Sequence, residues 1–294
     1  MKSKLLIQNY ASGFTLLELL VSLALGGIIL GLTAGTVVGA KKMYKRDALR
    51  TRINQDLRSS IDLIGTNIRI AGENLDSPFP AVEVIDGANG APDQLILRRN
   101  TQDEVLKVCS PINSGTTTAV TFANGAQAGC SYSDNTHNFN TWKDLRLSEN
   151  GQIWAYIFDS ASKAGEYFLY SNETDSGTEY SLQRSGGTWN SDYSASASAV
   201  YIIEEWKFQM NQDLLQVVLD SNEAEPLNIS YGLKDFQVQI ELRDGAQLSE
   251  FDQFQDWTQI KHIQISLNAE AAFEKKTIKR SLSAKFFPRN VLSN

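Results

Sequence analysis

From Phe14 to Val38 the chain carries a single charged side chain, Glu18, in an otherwise apolar run. A bilayer-spanning helix needs about 20 predominantly apolar residues, so the run is predicted to be helical and to cross a membrane. An acid inside such a helix costs about 2.5–3.5 kcal/mol on insertion scales and is normally kept for a partner or a function. The position of Glu18, five residues into the run, is therefore the first thing that needs a reason.

What precedes the run is short and polar. Residues 1–13 carry Lys2 and Lys4 and end in the small pair Ser12-Gly13. A secretory signal is cut after its apolar region, next to small residues. Here Gly39-Ala40 is followed at once by Lys41, Lys42, Lys45 and Arg46, and the helical pattern continues. A cut after Gly13 fits better and leaves the apolar helix on the mature protein.

Gly13-Phe14-Thr15-Leu16-Leu17-Glu18 followed by a long apolar helix resembles the leader of type IV pilins and type II secretion pseudopilins. That resemblance implies a prepilin peptidase that cuts after Gly13 and methylates the new amino terminus at Phe14. It also implies that Glu18, one helical turn away, neutralises the amine of its own Phe14 or of a neighbouring subunit during fibre assembly. The alternative is an acid that snorkels to the membrane surface with no specific partner.

Gly27, Gly31, Gly35 and Gly39 recur every four residues and so share one face of the helix. A small-residue ridge lets another backbone approach closely in lipid, although glycine is in any case commoner in membrane helices. Each glycine also weakens the helix by up to about 1 kcal/mol relative to alanine, so this segment is the one that loosens most easily outside a bilayer.

The helical pattern outlasts the apolar run. Leu49, Ile53, Leu57, Ile61, Ile64, Ile68 and Ala71 recur every three or four residues among Arg50, Arg52, Gln55, Asp56, Arg58, Asp62 and Asn67, which makes one amphipathic stripe. No proline occurs from Phe14 to Ser77, so one helix is predicted to run to Gly72, about 59 residues and on the order of 88 Å. Gly72, Pro78 and Pro80 end it. The expected divisions are a leader at 1–13, a membrane or fibre-core helix at 14–38, its amphipathic continuation at 39–72 and a β-rich head at 78–294.

Orientation draws two opposed readings. Lys41, Lys42, Lys45, Arg46, Arg50 and Arg52 follow the apolar run whereas Lys2 and Lys4 precede it. The charge rule alone would hold the downstream part in the cytoplasm, while the resemblance implies a single-pass inner-membrane protein with its head in the periplasm, later carried to the tip of a surface pilus. The leader is the more specific signal and sets the expectation.

The two cysteines, Cys109 and Cys130, both lie in the predicted head. A disulfide between them suits an oxidising compartment and would close a loop of about 22 residues, contributing on the order of 3 kcal/mol. The alternative is two unrelated buried thiols. Their spacing suits no metal site, since no second pair or histidine cluster accompanies them.

Strand-like segments fill the rest: 94–97, 105–109, 119–122, 144–147, 153–158, 167–170, 180–183, 200–210, 214–219, 236–242, 260–267 and 277–286, with turn signals such as Asn89-Gly90 and Asp244-Gly245 between them. The strongest hairpin signal is Leu145-Arg146-Leu147, then Asn150-Gly151, then Ile153-Trp154-Ala155-Tyr156. In the last two strands Ile260, Ile263, Ile265 and Leu267 alternate with Lys261, Gln264 and Ser266, and Ile278, Leu282 and Ala284 alternate with Lys279 and Lys285. An antiparallel sheet with one buried face is expected to pack on the stripe from Leu49 to Ala71. The fold class is thus α+β, a long N-terminal helix on an antiparallel sheet, and the pilin resemblance implies the same.

A second resemblance lies in residues 231–238, Trp257, residues 260–267 and Phe287-Pro288-Arg289-Asn290, which are similar to the closing segments of large minor pilins of the PilW family and of the related J-type pseudopilin GspJ. About residues 78–230 have no such match. A head this large is awkward to pack thousands of times, so the resemblance implies a low-copy subunit. Its partners would be prepilin peptidase, other minor pilins, the major pilin and an inner-membrane assembly platform, and its role would be to prime assembly from the tip.

Other functions leave weaker traces. The chain carries −7, and loss of Lys2 and Lys4 with the leader makes that −9, so the head is acidic and no nucleic-acid surface is expected. Arg98-Arg99 is too small a basic patch. His137 and His262 lack a nucleophile or acid at diagnostic spacing, so no catalytic residue is assigned and an enzyme is not expected. No metal or cofactor site is assigned, although the acidic loops at 172–175 and 220–223 offer oxygen ligands of the kind Ca²⁺ takes; solvated surface is the simpler reading. The aromatic group Trp142, Trp154, Tyr156, Phe158, Tyr167, Phe168 and Tyr170 reads as sheet core. Two further functional readings stand beside the minor pilin: a GspJ-like pseudopilin, and a binding module built on the Ser-, Thr-, Asn- and Gly-rich stretch 171–198, acting as an adhesin or DNA receptor.

Overall fold

The computed structural model describes residues 15–123, 136–274 and 276–292. The chain divides into two compact units, residues 1–52 and 53–294. One helix, α1 (Leu16–Ile70), supplies the described part of the first and opens the second.

In the second unit α1 buries the predicted stripe: Ile53, Leu57, Ile61, Ile64 and Ile68 are all nearly inaccessible. Burying each such side chain is worth about 1.5–3 kcal/mol, which far exceeds the propensity differences along the helix. Gly65 lies on the same face, and a Cβ placed there would come within 2.2 Å of the Phe286 ring. The Arg69 guanidinium, one helical turn on, lies 5.1 Å from the centroid of the same ring. Gly72 then stops the helix with φ of 80°, a conformation that costs glycine little. The indole of Trp257 sits where its side chain would be.

The remaining elements are β1 (Val82–Gly87), β2 (Ala91–Asn100), β3 (Leu106–Lys107), β4 (Val120–Ala123), α2 (Thr136–Ser148), β5 (Ile153–Asp159), β6 (Gly165–Asp175), β7 (Glu179–Arg184), β8 (Ser198–Tyr201), β9 (Ile203–Asn211) and β10 (Leu214–Leu219). They continue with β11 (Leu227–Tyr231), β12 (Leu233–Leu242), β13 (Gln247–Leu248), β14 (Ile260–Phe273) and β15 (Lys276–Phe286). Among the described residues they pair into three antiparallel sheets, ordered β1-β2-β9-β10-β11, β13-β12-β14-β15 and β3-β8-β5-β6-β7-β4. A long helix with antiparallel sheets is the expected α+β class.

In β14 the alternation read from sequence is the observed one: Ile260, Ile263, Ile265, Leu267 and Ala269 are buried while the residues between them are not. One charged side chain of the first sheet reaches the second, and another braces the first sheet internally. Asp93 accepts from Gly87 N at 2.9 Å and from Val238 N at 2.7 Å, which ties β2 to β12. Arg98 is fully buried and pairs with Glu83 at 2.6 Å and Glu205 at 2.5 Å while also donating to Pro80 O. Those carboxylates raise its pKa against the opposing effect of burial. The dipeptide Arg98-Arg99 is thus internal wiring, Arg99 being bound to Glu204.

The six-stranded sheet has its own core, built from Phe122, Trp142, Phe168, Tyr170 and Trp189 among others. Here one expectation fails. Residues 144–147 belong to α2, not to a strand, so the hairpin around Asn150-Gly151 does not form. Phe139, Trp142 and Arg146 fall on one face at helical spacing and are buried. Phe139 stacks on Tyr180 with centroids 4.0 Å apart, and Arg146 is held by both oxygens of Glu173 at 2.7 and 2.8 Å. Asn150 and Gly151, at φ of 58° and 88°, turn the chain from helix to β5 rather than strand to strand. The segment 200–210 also divides, into β8 and β9 in different sheets.

Candidate functional site

Thr15 stands just before α1 and caps it. Its Oγ1 accepts from Glu18 N at 3.2 Å and its carbonyl accepts from Leu19 N at 3.1 Å. The Oγ1 bond uses one of the four backbone donors a helix start leaves without a partner, and the Leu19 bond opens the helix's own ladder. Glu18 occupies the third helical position, and Thr-x-x-Glu is the spacing of a capping box. The first turn is also where the helix dipole favours an acid, by about 0.3–1 kcal/mol. Reasoning from charge and hydropathy missed Thr15, although its spacing from Glu18 carries the signal.

Downstream, the polar side chains turn inward on the helix. Ser22 Oγ donates to Glu18 O at 2.8 Å, Thr33 Oγ1 to Ile29 O and Leu30 O at 3.0 and 2.9 Å, and Thr36 Oγ1 to Thr33 O at 2.8 Å. A hydrocarbon phase offers no water to satisfy such groups, so a helix in lipid must do so itself. The outward surface is apolar: Leu16, Leu23, Leu30 and Leu32 are each more than three-fifths exposed. Among the described residues α1 is the helix long and apolar enough to cross a membrane.

The glycine ridge lies open. A Cβ added at Gly27, Gly31, Gly35 or Gly39 would meet nothing within 4 Å, in contrast to Gly65 beneath Phe286. Among the described residues nothing therefore requires glycine at these four positions.

Of the other residues singled out from sequence, Gly13, Phe14 and Cys130 lie outside the described residues. Cys109 follows β3, is half-buried, and donates its N–H to Thr121 O at 2.8 Å. In the basic cluster Arg46 and Arg50 lie 3.5 and 3.8 Å from Asp47, exposed pairs that contribute at most about 1 kcal/mol. The acidic loops are occupied by protein groups: Glu173 holds Arg146, Asp175 accepts from Gly177 N, and Glu223 holds Lys207. Among the described residues no group of three or more His, Cys, Asp or Glu is arranged to hold a metal. His137 is exposed, 3.8 Å from Glu104, and His262 Nε2 lies 2.9 Å from Glu241. Trp142, Tyr156, Phe158, Phe168 and Tyr170 are core residues as expected, but Trp154 is 57% exposed and Tyr167 only half-buried.

Residues 8–34 match the family described as Prokaryotic N-terminal methylation motif. The match spans the segment before the helix, Thr15, Glu18 and the first two glycines of the ridge, and it supports a precursor of the type IV pilin or pseudopilin kind, with an apolar helix suited to inner-membrane anchoring. No curated protein matches the chain, and no solved structure does.

Proposed function

We propose that this chain is a minor type IV pilin of the PilW kind, a low-copy subunit that helps to start a pilus from its tip. The observation that carries the reading is the Thr15-Leu16-Leu17-Glu18 cap of an apolar helix that continues, without a break, into the first element of a large antiparallel head. Prepilin peptidase cuts after Gly13 and methylates Phe14. The helix then holds the subunit in the inner membrane, with the head in the periplasm, until other minor pilins collect it through Glu18 and the open glycine face. In an apolar setting an acid and an amine one turn apart attract far more strongly than in water, which gives assembly its direction. Cys109 and Cys130 pair in the same compartment.

Mass spectrometry of the protein from its native cells tests this reading: the amino-terminal peptide should begin at Phe14 and carry one methyl group. An unprocessed terminus, or a reporter fused after Gly72 that is active only in the cytoplasm, would overturn it. A GspJ-like pseudopilin shares every one of these steps and differs in the machine it serves; recovery of the head with secretion pseudopilins rather than with minor pilins would select it.

A further inference from the structure

We propose that the head carries a binding cleft for a small organic ammonium ion, formed by Trp154, Tyr167 and the turn from Leu219 to Asn222. The cleft has a volume of about 630 Å³. One wall comes from β5 and β6 of the six-stranded sheet, the other from the turn after β10. It is separate from the helix assigned to assembly and does not depend on which machine the subunit serves.

Trp154 supplies the first argument. The five residues that follow it on β5 are buried, whereas its own indole is 57% exposed at the cleft. A large aromatic face beside a cavity offers a ligand a flat apolar surface.

The turn supplies the second. Asn222 N donates to Leu219 O at 2.9 Å, and the two residues between, Asp220 and Ser221, both lie in the left-handed region with φ of 49° and 58°. Serine has little reason to adopt that conformation unless the surroundings impose it. They do: Asp220 Oδ1 accepts from Glu205 N at 2.9 Å, Asp220 N donates to Glu205 O at 3.0 Å, and Ser221 Oγ donates to Glu205 Oε1 at 2.7 Å. The carboxyl of Asp220 is thereby fixed at the cleft wall.

Charge supplies the third and chooses the ligand. Glu205 is paired with Arg98, Glu204 with Arg99 and Glu223 with Lys207. Asp220 has no cation within ion-pairing distance among the described residues. Burial, and then the nearby Glu204 and Glu205, push its pKa up. The Tyr167 hydroxyl, buried and without a hydrogen-bond partner, is kept from ionising by burial and then by the negative charge of Glu205, to which Asp220 adds. Among the described residues Asp220 is thus a carboxylate without a cationic partner at this wall, which disfavours an anion and which a neutral sugar leaves uncompensated. A metal ion would want six or more oxygens, and this wall offers one carboxylate beside an indole. A cation with an apolar or methylated body uses both the charge and the aromatic face.

The test is a ligand-observed NMR titration of the full chain in a nonionic polyoxyethylene detergent at low salt, with choline and its uncharged carbon isostere 3,3-dimethylbutan-1-ol as probes. Choline should bind in the millimolar range and the isostere about tenfold more weakly. Asp220→Asn keeps the acceptor that Glu205 N needs and should weaken choline about tenfold without changing the isostere. Trp154→Ala should abolish binding of both, and Trp154→Phe should restore part of it; unchanged thermal melting certifies each variant. Equal binding of choline and isostere, or wild-type choline binding by Asp220→Asn, would overturn the proposal, as would binding of maltose alone. Competition by Nα-acetyl-lysine amide stronger than choline's would identify the ammonium as one presented on a protein, and weaker competition a free quaternary amine.

Discussion

The side-chain amide of Asn290 donates to the carbonyl of Ile70 at 3.0 Å and, from the same nitrogen, to that of Ala71 at 3.1 Å. The Ile70 carbonyl also accepts from Glu73 N at 3.2 Å, and Asn290 adds a second donor there and one for Ala71 at the end of α1, from about 220 residues away. Asn290→Ala removes that donor. The expected cost is about 1 kcal/mol, a fall in melting temperature of about 2–4 °C for a head of this size. A melt unchanged within error would show that water serves the carbonyls equally well.

Gly65→Ala reverses a familiar sign. In an exposed helix the change stabilises by up to about 1 kcal/mol, but here the new methyl would stand 2.2 Å from the buried Phe286 ring. Overpacking of that kind costs about 1–3 kcal/mol, so net destabilisation is expected in denaturant titrations. Phe286→Leu introduced into the same variant should recover part of the loss, giving a double-mutant cycle with a favourable coupling. Additive effects would place the two residues out of contact.

Asp159 predicts a pH dependence. Its carboxylate is buried, which raises its pKa, but it accepts from Ala161 N, Ser162 N, Ser194 N and the hydroxyls of Ser194 and Ser198, and these outweigh burial and hold it far below the ordinary 3.8. A depressed pKa contributes stability that is complete above the unfolded value and is lost as pH falls below it. Asp159→Asn should therefore be least stable relative to the parent at pH 5–7, and the gap should narrow progressively as pH falls below about 4. A constant gap from pH 6 to pH 3 would contradict the assignment.

Glu18→Ala separates processing from assembly. The variant should still be cut after Gly13, since the acid lies downstream of the bond, yet it should be missing from sheared fibres when scored by immunoblot against the parent. Normal incorporation would refute the role given to the acid.

The helix was legible because its signals are local and redundant: an apolar run, a stripe at Ile53, Leu57, Ile61, Ile64 and Ile68, and no proline. The strand at Ile260 was equally plain, since one face of β14 is buried and the other is not. The region around α2 was not. Leu145-Arg146-Leu147 reads as alternation over three residues, and only the longer spacing of Phe139, Trp142 and Arg146 reveals the helix. β1, β11 and β13 escaped notice because two are partly exposed edges and the third spans two residues. At the candidate site Glu18 was found by its incongruity in an apolar run, whereas the exposure of Trp154 could not be seen, because which face of β5 is covered is decided by sheet packing.

The closure of α1 by Phe286 and Asn290 also sets a timetable. The stripe of α1 is synthesised before the sheets of the head, and two of the groups that complete its surroundings follow over 200 residues later. Contacts that distant form slowly, because a long loop must close before they reward it. Throughout elongation, the stripe is a sticky surface that lacks Phe286 and the helix a frayed end that lacks Asn290. A ribosome stalled before residue 286 would leave a nascent chain whose first helix can neither finish its turn nor hide its oily side.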